Sequence, residues 1–496
     1  MHLWLFYCVL VLLFIYLLKK PLYQHMATLN VYTSKKNLPF FGDARYLFGD
    51  PGNIMNMMME TSKECSEKGG LTKLWQGPFL FFFCTDPVKA EALLKHHLEK
   101  DDMIKVLRTL TGNGSLFAPV PIWKPRRKVM VSALHPKFVA NFFSIFLNRS
   151  QKLVDEIAPT VSSKTPVKIW PYLNSYNFDV TLEAGMGEKE FLPEDKEIVL
   201  NSMSQLKDYL TKRIFQFWQT PDFLFRFHPN HIKVDSLRKI VFSILDKGVN
   251  KKTSEVLNED TLLQNKLSIF DLFVAFSRRD VEYNEVELRE EVITLVSAAT
   301  DTCSNVLEFV LILLAKYPVV QEKVYEELHT EFHEQNMLPK TREDLSKLKY
   351  LERVINEALR LYPPAPFVLR KTKRQTTFSD GIVIPEDASI LVSLWGLHRN
   401  KKHWGPDADC FDPDRFLPER YSRVPPGCFI PFLSGSRNCP GFAFAMMSVK
   451  TVLSVLLKTY RVKPDAENGP IPQIKLNYDI TITAVDSKIA FEKRSL

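Results

Sequence analysis

The chain has 496 residues, 45% of them hydrophobic and 25% charged, the balance of an ordinary globular protein rather than a disordered or fibrous one. Its net charge of +8, from 65 Lys+Arg against 57 Asp+Glu, is small for this length and comes from interleaved residues, which argues against a dedicated nucleic-acid binder and for a mixed, solvated surface. Length alone would suggest about three domains of ~150 residues. No Gly/Ser-rich linker, low-complexity tract or fixed-period repeat divides the chain, so one large catalytic domain behind an N-terminal anchor is expected instead.

The first predicted element is that anchor. His2 to Leu18 reads HLWLFYCVLVLLFIYLL and is closed by Lys19, Lys20 and Pro21. The run is at the short end for a spanning helix. A cleaved signal peptide would need a basic start, a shorter apolar run and a small-residue cleavage site, all missing here. We therefore expect a retained membrane anchor over 1–20, a basic, Pro-containing hinge over 21–45 and a catalytic body over 46–496. The positive charges after the run place the body in the cytosol, which leaves the sequons Asn113-Gly-Ser and Asn148-Arg-Ser unglycosylated.

Within the body, 51–66 and 85–97 read as helices with short strands between them, the clearest from Phe79 to Cys84 after Gly77-Pro78. Residues 122–158 read as two helices, and 186–290 as mostly helical with a Phe-rich interruption from Phe215 to Phe227. A long apolar helix follows from about Glu290 to Lys316, and another from about Leu345 to Leu361, ended by Pro363, Pro364 and Pro366. Ile382-Val-Ile and Ser389-Ile-Leu-Val-Ser read as strands, and a last helix runs from near Pro440 to Thr459. The expected class is mainly α with small β-sheets.

None of the seven cysteines pairs at Cys-x2–4-Cys spacing, so neither a structural zinc site nor a disulfide framework is indicated. Cys439 is different in kind. Pro440, Gly441 and a helical run follow it, so it sits at a helix N-terminus, where unpaired N–H groups favour a thiolate. Gly435 and Gly441 let backbone approach a large flat ligand, Arg437 can pair with a carboxylate, and Phe432 can shield the sulfur from water.

Phe432, Gly435, Arg437, Cys439 and Gly441 form the pattern Phe-x-x-Gly-x-Arg-x-Cys-x-Gly, and here the chain resembles the cytochrome P450 family over its whole length, most of all insect microsomal members of the fatty-acid ω-hydroxylase clan. The resemblance implies the P450 fold, with Cys439 as the axial ligand of haem b. It also implies a structural triad of Glu357, Arg360 and Arg415 that holds the Cys439 loop, and contacts from Trp123, Arg127 and Arg370 to the haem propionates. Asp301 and Thr302, in Ala298-Ala-Thr-Asp-Thr302, are implied to relay protons to bound dioxygen, with the alternative or additional reading that Thr302 bonds back to a preceding carbonyl and bends its helix. Ala299 departs from the usual Gly. Ala298 stands where clan members that bind haem covalently have Glu, so haem is expected to be non-covalent apart from the Cys439–iron bond.

The implied activity is an NADPH- and O2-dependent monooxygenation, hydroxylation or epoxidation, of a lipophilic substrate such as a fatty acid, hydrocarbon, pheromone precursor or xenobiotic. Ile104, Leu107, Phe117, Ala298, Phe367 and Val368 are expected to line its pocket, with the loop from Asp102 to Pro121 setting selectivity. Electrons are expected from a separate NADPH-dependent flavoprotein reductase, with cytochrome b5 as a second donor, because the chain has no Gly-x-Gly-x-x-Gly or flavin domain. The implied location is the endoplasmic reticulum membrane. Phe215–Phe227, containing Trp218, reads equally as a segment dipping into the bilayer or as an ordinary packed helix pair. A reductase-independent hydroperoxide isomerase or dehydratase, and a non-catalytic haem-binding protein, are the alternatives; the Asp301-Thr302 pair argues against the first.

Overall fold

The computed structural model describes residues 18–34, 51–77, 79–187, 192–256, 267–280, 283–332, 338–465, 474–485 and 487–494. The expected anchor lies outside these residues except for its last three, which are helical together with 21–26. The described part of the 21–45 segment is docked on the body. Lys73 Nζ donates to the Thr28 carbonyl at 2.6 Å, and the His25 ring lies 5.7 Å from Trp75.

The longer helices are α1 (Pro51–Glu67), α2 (Pro87–His96), α3 (Val120–Ala133), α4 (Phe143–Ser163), α5 (Trp170–Met186), α6 (Pro193–Phe215), α7 (Asn230–Val256), α8 (Ile269–Asp280), α9 (Glu285–Lys316), α10 (Pro318–Glu331), α11 (Lys349–Leu361) and α12 (Phe442–Thr459). The strands are β1 (Tyr32–Thr33), β2 (Leu71–Gln76), β3 (Phe79–Cys84), β4 (Phe367–Lys371), β5 (Thr376–Thr377), β6 (Val383–Ile384), β7 (Ser389–Ser393), β8 (Tyr460–Pro464), β9 (Leu476–Asp479), β10 (Thr481–Ala484) and β11 (Ile489–Lys493). The mainly α class with small sheets holds.

The axis of the body is α9. Its last two-thirds are apolar on nearly every side, the signature of a helix buried all round. It packs on α5, α7, α8, α11 and α12. Among the described residues, α9 and α12 are long and apolar enough to cross a membrane, yet 78% and 67% of their apolar windows are buried inside the body. The α5–α9 contact carries polar ties: Trp170 Nε1 donates to Asn305 Oδ1 at 2.7 Å, and Asn177 Nδ2 to Ser304 Oγ at 3.0 Å. A five-stranded sheet in the order β1-β2-β3-β7-β4 flanks the helices, parallel at β1–β2 and β3–β7 and antiparallel elsewhere, and the described residues form three further two-stranded sheets.

Some boundaries differ from the sequence reading for physical reasons. Helix α9 starts five residues earlier than expected, at Glu285, because Asn284 and Glu287 form a reciprocal capping box that an apolar pattern does not register. The single helix expected over Leu345–Leu361 is two, Arg342–Lys347 and α11, broken where buried Leu348 leaves helical dihedrals at φ −74 and ψ 76. The 122–158 region holds an extra short helix, Pro136–Val139, between α3 and α4. The Asp102–Pro121 loop contains a 3-10 turn (Asp102–Leu107) and a short helix (Arg108–Thr111). The last helix begins at Phe442, with Gly441 as its N-cap.

Candidate functional site

The loop before α12 enters through Ile430 and turns back at Leu433, whose φ is +63, and Gly435, whose φ is +75. The Cys439 N–H closes the turn on the Phe432 carbonyl at 2.8 Å. Gly435 is needed for a reason other than ligand approach: a Cβ there would lie 3.0 Å from the Leu94 carbonyl of α2, in a left-handed conformation. A Cβ on Gly441 would meet the Cys439 sulfur at 3.8 Å. The sulfur faces an internal cavity of about 460 Å³. Burial pushes the Cys439 thiol up, while the Gly441 N–H and the Arg127 guanidinium pull it down. Phe432 packs edge-on against Phe442 at 4.8 Å and also lines the cavity.

A cluster of cations stands on one side of this cavity: Lys100, Arg127 and Arg437 line it, and Arg370 lies close enough to Arg437 to be repelled by it. Arg370 is fully buried; its Nη1 donates to the Leu369 carbonyl at 3.0 Å, and its Nε and Nη2 have no partner. Arg437 lies 4.6 Å over the Trp123 ring and donates to the Ala118 carbonyl, while its Nε and Nη1 are also unpartnered. Burial pulls Arg370 down to about 9 and Arg437 down to about 10, and the two repel each other at the Arg370 site. Lys100, which also lines the cavity, is held well below its usual range by burial and by both arginines. Arg127 reaches Asn438 of the Cys439 loop.

Across the cavity, on α9, Thr302 Oγ1 donates to the Ala298 carbonyl at 2.7 Å. Asp301 is engaged rather than free: Lys207 of α6 bonds its Oδ1 at 2.7 Å, and Thr481 of β10 donates to its Oδ2. All six expected pocket residues, Ile104, Leu107, Phe117, Ala298, Phe367 and Val368, line the same cavity as Cys439, Asp301 and Thr302. Beneath the thiol loop, Glu357 is fully buried and holds Arg360 through bonds of 2.6 and 2.8 Å, with Arg415 3.5 Å away. Burial raises the Glu357 carboxyl and the Arg360 pair opposes it. The two arginines spend their remaining N–H groups on the carbonyls of His398, Ala408, Cys410, Trp404 and Asp407. The triad thus stitches down the segment 398–412.

The sequence profile described as Cytochrome P450 matches residues 33–491. The chain belongs to the cytochrome P450 family. Its relatives include the probable cytochrome P450 313a1 of Drosophila melanogaster, 30% identical over 412 residues that cover 81% of this chain and 82% of the relative. They also include cytochrome P450 4d2 of the same fly, 28% identical with 89% of each chain covered, and cytochrome P450 4X1 of Mus musculus, 26% identical with 90% of each covered. These insect and mammalian relatives agree with the resemblance to insect members of the ω-hydroxylase clan. The crystal structure of the cytochrome P450DA heme domain shares the fold, with a TM-score of 0.78 over 94% of this chain and 98% of that one, at 19% identity.

A member of this family is a haem-thiolate monooxygenase, acting on lipophilic substrates in general. The residues present fit a haem. Unpaired buried guanidinium groups are too costly to stand alone, and four orphaned N–H-bearing nitrogens on Arg370 and Arg437, with Lys100 beside them, match the two carboxylates of a porphyrin. Cys439, two residues beyond Arg437 on the same loop, offers the sulfur. Sequence reasoning missed Lys100, which carries no motif. The two adjacent arginines of α3 part ways: Arg127, expected at the haem, turns to the Cys439 loop, while Arg126 turns away to Glu287, Glu290 and Glu291 of α9.

Proposed function

We propose that this P450 inserts one oxygen atom from dioxygen into a long, apolar substrate (a fatty acid, hydrocarbon, pheromone precursor or xenobiotic), using electrons from a separate NADPH-dependent flavoprotein reductase, with cytochrome b5 as a second donor. The observation that carries the reading is the convergence of Cys439, the cations Lys100, Arg127 and Arg437, and the Asp301–Thr302 pair on one apolar-walled cavity, with unpartnered guanidinium nitrogens on Arg437 and on neighbouring Arg370.

When bound, haem supplies dioxygen activation at an iron made electron-rich by thiolate sulfur. The protein's own groups do the rest. Cys439 would hold the haem iron through its sulfur, and the Gly441 N–H would steady the thiolate charge. Arg370, Arg437, Lys100 and Arg127 would hold the propionates, and the Trp123 ring backs Arg437. Thr302 keeps its hydroxyl at the cavity wall through the Ala298 carbonyl, and Asp301 would pass protons from solvent toward it once the bonds from Lys207 and Thr481 loosen. Apolar walls bind the substrate and keep water away from the reacting carbon.

On the opposite side, Lys124 and Lys128 are exposed on α3, the helix that sends Arg127 to the Cys439 loop. An acidic reductase surface docked there is close to the thiolate. Residues 1–20 form the anchor, residues 46–496 the catalytic body, and the body faces the cytosol at the endoplasmic reticulum.

The test is microsomal expression with a reductase and a panel of fatty acids, alkenes and xenobiotics. The wild-type protein should give oxygenated products that require NADPH, and Cys439→Ala should lose haem or all turnover. Rapid consumption of a hydroperoxide without NADPH, with no oxygenation of the panel, would replace this reading by the isomerase one.

A further inference from the structure

His398 ends the short helical turn Leu394–Leu397 and is completely buried. It joins two parts of the molecule that the site needs held together. Its carbonyl accepts from Arg360 Nη1 at 2.8 Å, so its backbone is fixed by the Glu357–Arg360 pair. Its side-chain Nε2 accepts the N–H of Ile430 at 3.0 Å. A peptide N–H only donates, so Nε2 carries the lone pair and the neutral ring has its proton on Nδ1.

Ile430 is gripped at both ends. Its N–H goes to His398, and its carbonyl accepts the N–H of Leu433 at 2.9 Å. The turn that follows contains two positive-φ residues, Leu433 and Gly435, before Cys439 bonds back to Phe432. Rarely populated backbone of this kind persists only where its surroundings over-determine it. The His398 ring also lies 5.4 Å from Phe429, which Phe416 and Trp404 flank in turn, and Arg360 stacks 4.9 Å over Trp404.

From this geometry we infer that His398 is a positioning residue for the Cys439 sulfur: through Ile430 it passes the rigidity of the buried ion triad into the thiol loop. The inference rests on the reading of Cys439 as the iron ligand. Burial, reinforced by Arg360 and Arg399, pushes the imidazole down to about 3, so the acceptor stays available across the whole neutral range. A residue that only filled space here would be replaceable by Leu; the Ile430 N–H would then be buried without an acceptor.

The experiment uses the full-length, haem-loaded protein in membranes, with His398→Leu and His398→Gln. The amide oxygen of Gln reaches the place of Nε2 and can restore the acceptor. The readouts are the thiolate signature of the reduced, CO-bound spectrum, its rate of conversion to the thiol-ligated form on mild warming, and the melting temperature. We expect His398→Leu to convert roughly tenfold faster than wild type, and His398→Gln to stay within about threefold of it. Wild-type conversion kinetics in His398→Leu overturn the inference. So does His398→Gln converting as fast as His398→Leu, because His398 would then be core filler.

If His398→Leu does not fold, amide hydrogen exchange on the wild-type protein decides. The Ile430 N–H should exchange as slowly as the buried amides of α12, and fast exchange overturns the inference. Failure of the ligand reading has a separate mark: Cys439→Ala would keep the thiolate band, whatever His398 variants do.

Discussion

Glu308 lies seven residues beyond Asp301 on α9, two turns along the same face, and is 3% exposed between Leu307 and Phe309. The Ala484 N–H approaches its Oε2 at 3.4 Å. Burial is the main cause that pushes its carboxyl from 4.5 up to about 8; Asp301 adds to the rise and Lys207 opposes it. The folded value is above the unfolded one, so between these limits the folded protein keeps a proton that the unfolded chain has released. Stability must therefore fall as pH rises from about 4.5 to about 8 and level off above, by at most about 1.4 kcal/mol per pH unit from this residue. Gln reproduces the protonated acid and cannot ionise. Glu308→Gln should melt close to wild type at pH 5 and gain a growing advantage up to pH 8, read from melting temperatures across pH 5–9. Parallel curves would mean that Glu308 is already ionised in the folded protein at neutral pH. No motif contains this residue; its position in the middle of an apolar helix is what makes it costly, and burial is visible only once α9 is seen at the centre of the body.

At the scale of elements, the segment from Asp102 to Pro121 owes its shape to α9. Glu291, 1% exposed, accepts from the Ser115 N–H at 3.1 Å and from Ser115 Oγ at 2.8 Å, and Glu290 accepts from the Asn113 N–H at 2.8 Å. Arg126 of α3 bridges Glu287 and Glu290 at 3.0 Å each and also donates to the Asn113 carbonyl at 2.6 Å. The approach is so close that a Cβ on Gly114 would stand 1.9 Å from Thr294 Oγ1 and 2.6 Å from the Glu290 carbonyl oxygen. The hydroxyl can rotate; the carbonyl cannot. Gly114→Ala should therefore lift the segment off α9, release the Ser115–Glu291 bonds and displace the cavity-lining Leu116 and Phe117. The overlap alone should cost about 1–3 kcal/mol, and titration with a bulky azole should show weakened binding. Gly381→Ala is the control: its φ is +77 and nothing lies within 4 Å, so it carries only backbone strain and should leave azole binding unchanged. Much of this level was legible in the sequence, because apolar periodicity marks α9, α11 and α12 and alternation marks β7. The rest was not: the Asn284 capping box is local but lies outside the apolar pattern, and the break at Leu348 and the turn of Arg126 go with hydrogen bonds to residues far along the chain, the Tyr350 N–H to Glu327 and Arg126 to Glu290. The thiol loop was the most legible part of the site, since its residues are contiguous; Lys100 and His398 were hidden because their partners come from elsewhere.

At the scale of the whole molecule, β2 connects two exposed apolar surfaces among the described residues. Lys73 of β2 binds the Thr28 carbonyl, and Gln76, three residues along the same strand, donates to the Phe215 carbonyl at 3.1 Å. The first surface, which follows the proposed anchor in the chain, exposes Tyr23, Met26 and Leu29; the second, beyond the end of α6, exposes Phe223, Leu224, Phe227 and Ile232, with Phe227 88% accessible. The Phe215–Phe227 segment is thus of two characters. Phe215 packs edge-on against Tyr478 and Phe225 sits 4.0 Å under Arg213, while Phe223 and Phe227 project outward. Arg226, His228 and Lys233 lie among the projecting residues, a mixture suited to anionic lipid headgroups over acyl chains. Anchor and body should therefore bind a bilayer independently. A chain lacking residues 1–20 is expected to sediment with vesicles containing phosphatidylserine, more weakly in high salt. Replacing Phe223, Phe227 and Ile232 together by Ser should leave that shortened chain in the supernatant, whereas the full chain with the same replacements should stay bound through its anchor. If the shortened chain with its native apolar residues never sediments, the second surface is not a membrane contact. Substrate would then have to reach the cavity by a route other than this surface.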